Sequence, residues 1–116
     1  MKACKRKQFV MFLLQPDMWD EYKRRHDELW PAMWDMLKKH GVKTFTISNI
    51  PGTVTLVAYM EHESDELLAA SAKTPINQEW WAFMADIMET EDDNTPVSVT
   101  LWEGFHFCPE EEEIAA

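Results

Sequence analysis

His26 lies four residues after Tyr22 and four before Trp30, a spacing that stacks the three along one row of a helix. An imidazole titrating near neutrality, set beside a phenol and an indole, is what an acid–base site in a sugar or aromatic pocket requires. The alternative is a core histidine, hydrogen-bonded and chemically idle. Trp80 and Trp81 raise a similar question. Adjacent helical residues point roughly 100° apart, so both can hardly serve one core face. One is expected to pack while the other edges a pocket, where a flat indole can lie on the apolar C–H face of a pyranose.

Other chemistries find little support. The three glycines build no phosphate-cradling loop, and neither a Ser-His-Asp nor a Cys-His constellation is legible from spacing. His26, His40, His62 and His106 show no metal-ligand spacing. His40 closes a helix and is expected to answer its dipole, while His62, between Glu61 and Glu63, is expected to be exposed. Cys4 and Cys108 make neither a disulfide framework nor a structural zinc site.

The elements that must position these groups follow from periodicity. Lys7 to Leu14 reads as a strand apolar on both faces, Phe9, Met11 and Leu13 against Val10, Phe12 and Leu14. Pro16-Asp17 opens a helix with Asp17 as its N-cap. Trp19, Tyr22, His26, Leu29, Trp30, Met33 and Leu37 keep helical spacing up to the stop at His40-Gly41, and Pro31 must kink or split the run. Thr44 to Ile50 and Thr53 to Glu61 form a hairpin around a type II turn at Pro51-Gly52. One helix follows Ser64, another begins near Pro75, and Val97 to Phe107 alternates as a last strand.

The order is βαββαβ, the α+β ferredoxin-like plan: four antiparallel strands with helices on one face. That plan leaves the second face bare, yet the first and third strands are apolar on both sides. A second copy, sheet against sheet, is the economical cover, giving a homodimer with a dimeric α+β barrel.

Length and composition agree with a single domain over residues 1–116, its core at about 7–107 and an acidic tail at 108–116. Hydrophobic content of 46% excludes wholesale disorder. A net charge of −10 repels phosphate backbones, which argues against nucleic-acid and acidic-membrane partners. The apolar run Phe9 to Leu14 is too short to span a membrane or serve as a signal core, so a cytoplasmic protein is expected.

The stretch Glu21-Tyr22-Lys23-Arg24-Arg25-His26-Asp27-Glu28-Leu29-Trp30-Pro31 closely resembles the helix signature of the L-rhamnose mutarotases. His40-Gly41, Trp80-Trp81 before Phe83-Met84, and Asp93-Asn94-Thr95-Pro96-Val97-Ser98 match in the same order, so the likeness runs from about Lys7 to Phe107. It implies a cofactor-free, homodimeric enzyme that interconverts the α and β anomers of L-rhamnopyranose. By position, His26 matches the family's proton donor, and Tyr22, Trp80 and Trp81 match its sugar-binding residues. Phe45 stands where the family has a sugar-contacting tyrosine, which opens the choice of 6-deoxyhexose to L-fucose as well. Two other readings stand beside it: a cofactor-free monooxygenase on the same barrel plan, built around a Trp and Asn94, and a catalytically silent sugar-binding dimer.

Overall fold

The computed structural model describes residues Cys4 to Pro109; most of the acidic tail lies outside the described residues. Strand β1 spans Lys5–Phe12, starting and ending two residues earlier than the expected Lys7 to Leu14. Leu13 then makes only an isolated bridge to Met88. The helical run that follows comes in three pieces: a 3-10 turn at Pro16–Met18, α1 at Trp19–Asp27 and α2 at Pro31–Lys39. The expected Asp17 cap is not formed. Gln15 precedes the 3-10 turn in extended conformation, and no side chain caps either it or α1.

Pro31 splits the helix, as its missing N–H and its ring require. Trp30 is pushed to ψ 134°, the extended region forced on a residue before proline, and Pro31 takes the first position of α2, where no N–H is needed. His40 and Gly41 end α2. Gly41 has φ +80°, which favours glycine, and a Cβ there would sit tightly against the Glu63 side chain at 3.1 Å.

Strands β2 (Val42–Asn49) and β3 (Thr55–His62) form the expected hairpin, with a bulge between Val42 and Thr44. The Thr53 amide donates to the Ile50 carbonyl at 3.1 Å, and Gly52 holds φ +79°, as a type II turn demands. Helices α3 (Asp65–Ala72) and α4 (Pro75–Met84) are each capped by a hydroxyl, Ser64 accepting from the Leu67 amide and Thr74 from that of Asn77.

The last strand is far shorter than its alternation suggests. β4 covers only Val99–Leu101, and Trp102, Phe105 and Phe107 are exposed, Trp102 at 92%. The first part of the expected strand is diverted: the Val97 amide donates to the Glu89 carbonyl, and Thr90 bridges Pro96. Period-2 patterning records which residues would share a face; it cannot supply the partner strand that makes the face.

The sheet order is β2-β3-β1-β4, all antiparallel, the ferredoxin-like arrangement. Met11, Leu56 and Ala58 are buried beneath Tyr22, Met33, Met36, Trp80 and Met84 of the helices. Register sets the opposite face: Val10 opposes Val57 on one side and Val99 on the other, with Phe12 opposite Thr55. The helix residues of the core lie against the other face, so no helix among the described residues covers these positions, which stay half-buried or exposed.

Candidate active site

Helix α1 builds the site. Tyr22 is buried and His26, one turn on, stacks on it with ring centroids 4.3 Å apart. Trp19 also stacks on Tyr22, at 5.9 Å. Trp80 of α4 meets the imidazole edge-on, at 5.2 Å and 88°. Trp30, released from helical geometry by Pro31, crosses Trp80 at 5.0 Å and 89°. The row expected from sequence is therefore real for Tyr22 and His26, while Trp30 reaches the cluster from outside α1.

The hydrogen bond at His26 determines its tautomer. Nδ1 lies 3.0 Å from the Tyr22 carbonyl oxygen, which can only accept, so Nδ1 carries the proton. Nε2 is left with its lone pair and has no hydrogen-bond partner among the described residues. Burial lowers the His26 pKa below its ordinary value, against the opposing pulls of the Tyr22 carbonyl and the Asp27 charge. The ring thus rests neutral at neutral pH, with Nε2 able to take a proton. Burial pushes the Tyr22 phenol strongly upward, so it remains protonated, and its oxygen has no hydrogen-bond partner among the described residues.

Trp80 is buried and Trp81 half-buried, the division expected of neighbouring helical tryptophans. Trp81 packs against the core cluster. Phe45 lies on the helix-covered side of β2, 38% exposed, and its ring partner is Phe9 at 6.3 Å. His26 is thus in ring contact with both Tyr22 and Trp80, whereas Trp81 and Phe45 stand apart from that stack.

His40 and His62 are tied to the ends of neighbouring elements. His40 Nδ1 donates to the Met36 carbonyl at 2.9 Å, tying down the end of α2. The expected exposure of His62 is wrong: it is 2% exposed. Its place in β3 puts it on the inner face with Leu56, Ala58 and Met60, and its Nε2 lies 2.9 Å from Asp65 at the start of α3. Flanking glutamates misled, because alternate strand residues face opposite ways. Asn94 is the left-handed residue of a turn, φ 71°, its amide donating to the Glu91 carbonyl.

Two residues at the site escape sequence reasoning, Arg25 and Phe83. Arg25 donates from Nε to Glu21 at 2.7 Å, and from Nη1 both to the Phe83 carbonyl and to Asp86, each at 2.8 Å. Its guanidinium lies 4.6 Å over the Phe83 ring. Only the four-residue interval from Glu21 to Arg25 hints at any of this. Bonds from Arg24 and Arg25 draw the Glu21 carboxyl down to about 2, so it stays ionised and gives no proton near neutrality.

A four-stranded antiparallel sheet with helices on one face, and an imidazole wedged between rings of the covering helices, makes this a ferredoxin-like α+β protein with a one-sided aromatic site. A sequence-family model described as L-rhamnose mutarotase matches residues 6–107. The chain belongs to the L-rhamnose mutarotase family. It is 50% identical over 103 residues to the L-rhamnose mutarotase of Tolumonas auensis, covering 89% of this chain and 98% of that one. The Oceanobacillus iheyensis L-rhamnose mutarotase is 46% identical, with 88% and 97% covered. A crystal structure of the Formosa agariphila L-rhamnose mutarotase superposes with a TM-score of 0.79 at 39% identity, covering 89% and 98%. A putative antibiotic biosynthesis monooxygenase from Nitrosomonas europaea, at TM-score 0.60 and 15% identity over 90% and 95% of the chains, shares the fold alone.

Proposed function

We propose that the protein interconverts the α and β anomers of L-rhamnose, with His26 moving the proton. The observation that carries the proposal is the His26 geometry: Nδ1 committed to the Tyr22 carbonyl, Nε2 open, and the ring held between Tyr22 and Trp80. Ring opening breaks the bond between C1 and the ring oxygen. The anomeric hydroxyl loses a proton, C1 becomes an aldehyde, and the ring oxygen gains a proton. Both oxygens are bonded to C1, so a single nitrogen beside that carbon serves both. Neutral Nε2 takes the anomeric proton, and the imidazolium so formed donates to the ring oxygen. Rotation about the C1–C2 bond turns the other aldehyde face to the hydroxyl, and closure reverses both transfers.

Tyr22 supplies a protonated hydroxyl to hold a sugar oxygen, and Trp80 and Trp81 supply flat apolar faces for the pyranose. The reaction needs proton transfer alone. The same residues would serve L-fucose, the second reading, which the missing hydroxyl at Phe45 keeps open.

The working form in this reading is a cytoplasmic homodimer of a single-domain chain. Uncovered Val10, Phe12, Val57 and Val99 support the dimer, and no helix among the described residues is long and apolar enough to cross a membrane. NMR exchange spectroscopy between anomeric protons, run on L-rhamnose, L-fucose and other 6-deoxyhexoses, tests the function. Faster exchange for L-rhamnose than for the others is expected; acceleration of none of them refutes it.

A further inference from the structure

We infer that Arg25 is a positioning residue for the reaction: it locks α4 onto α1 and so sets the edge contact of Trp80 with His26. The inference rests on the mutarotase reading and adds to it a residue that touches no sugar.

The geometry forms one connected path. The Arg25 side chain is only 10% exposed and ends where α4 ends. Its fork bonds the Phe83 carbonyl, one of the last carbonyls of α4 and unable to find a partner further along that helix. The same fork holds Asp86 through both Nη1 and Nη2, at 2.8 and 3.2 Å, and Nε holds Glu21 one turn back on α1. The guanidinium face lies on the Phe83 ring. Phe83 in turn packs on Trp80 at 5.6 Å and on Trp30 at 5.3 Å. Trp80 is the ring whose edge meets the imidazole of His26.

Arg25 therefore reaches His26 by a route outside its own helix, although the two are sequence neighbours. A planar donor set satisfying two carboxylates and a carbonyl at once is a task that lysine, a single point charge, cannot reproduce. Loss of the fork frees the end of α4 to shift, and the Trp80 edge shifts with it. Placement errors of about 1 Å at a reacting group are costly in rate, up to about a hundredfold.

The test compares Arg25→Met, Arg25→Lys and Asp86→Asn with the parent protein in anomer exchange, well below each melting temperature. The expected result for Arg25→Met is a fall in kcat/KM of about ten- to a hundredfold, mostly in kcat, with a changed near-ultraviolet circular dichroism of the aromatic cluster. Arg25→Lys should recover part of the loss. The losses from Arg25→Met and Trp80→Phe should combine non-additively, because both act through the same contact. Asp86→Asn weakens the fork from an exposed position, leaves Arg25 in place, and decides the matter if Arg25→Met does not fold; a several-fold loss of kcat is expected. An unchanged kcat/KM per folded molecule, with only a lower melting temperature, overturns the inference. Strict additivity with Trp80→Phe overturns it as well. If the parent accelerates no 6-deoxyhexose, it is the mutarotase reading that fails, and the dichroism of the variants still reports whether Arg25 orders the cluster.

Discussion

Replacing His26 with alanine separates chemistry from packing, because the structure bounds what each side loses. On the packing side go the bond from Nδ1 to the Tyr22 carbonyl, worth about 0.5–1.5 kcal/mol net, and two ring contacts of about 0.5–1.5 kcal/mol each. These are not additive, and alanine returns a few tenths through its better helix propensity. The Tyr22 carbonyl lies within α1, so deletion leaves no orphaned backbone acceptor. A net loss of about 1–3 kcal/mol follows, which lowers the melting temperature by roughly 4 °C per kcal/mol. On the chemical side a positioned proton-transfer group contributes about 10²–10⁴ in rate. Exchange of the anomeric protons of L-rhamnose, measured by NMR on folded protein, should fall by that factor. His26→Asn provides the control, since its amide can still donate to the Tyr22 carbonyl but cannot shuttle a proton; it should fold better than the alanine variant and be equally slow. Undiminished exchange in either folded variant refutes the assignment.

Three further outcomes are expected. With neutral His26 as the resting acceptor, kcat/KM falls as pH drops through a midpoint below about 6.5; the same depressed pKa gives stability that is present above about 6.5 and lost as pH falls through the folded value, so acid melts should parallel the activity limb. Activity rising toward acid would reverse the proton's direction. Phe45→Tyr places a hydroxyl on the helix-covered side of β2 and should alter the ratio of L-rhamnose to L-fucose rates by up to about tenfold, the worth of a hydrogen bond near 1 kcal/mol; an unchanged ratio removes residue 45 from the pocket. Val10→Asp should convert a dimer to monomer or unfold it, because a charge buried without a mate costs several kcal/mol, whereas a stable dimeric variant by light scattering excludes the sheet-to-sheet model.

The sequence revealed what local periodicity and stereochemistry control. Pro31, Gly41 and Gly52 each act through their own backbone, so the helix break, the α2 stop and the turn were all legible. Tyr22 and His26 share one continuous helix, and their stacking needed nothing beyond its pitch. What was hidden depends on residues far away along the chain. Burial of His62 follows from the inner face of β3 lying against the distant helical core, and the brevity of β4 from the diversion of Val97 and Pro96 to Glu89 and Thr90. Arg25 is invisible for the same reason, since its partners Phe83 and Asp86 lie 58 and 61 residues away.

Likeness of fold to the Nitrosomonas europaea protein carries no chemistry across, and the structure indicates why. The βαββαβ frame dictates only that helices cover one sheet face and that a site can form beneath them. The proposed chemistry rests instead on one helix row and its neighbour: a histidine whose Nδ1 is occupied by its own helix, a phenol that keeps its proton, and an indole edge. Asn94, the residue that kept oxygen chemistry in view, shapes a turn instead. In the proposed reaction one proton passes between two oxygens on a single carbon, which is sufficient for anomer exchange, and the frame's part in it is to bring the rings of α1 and α4 against the imidazole.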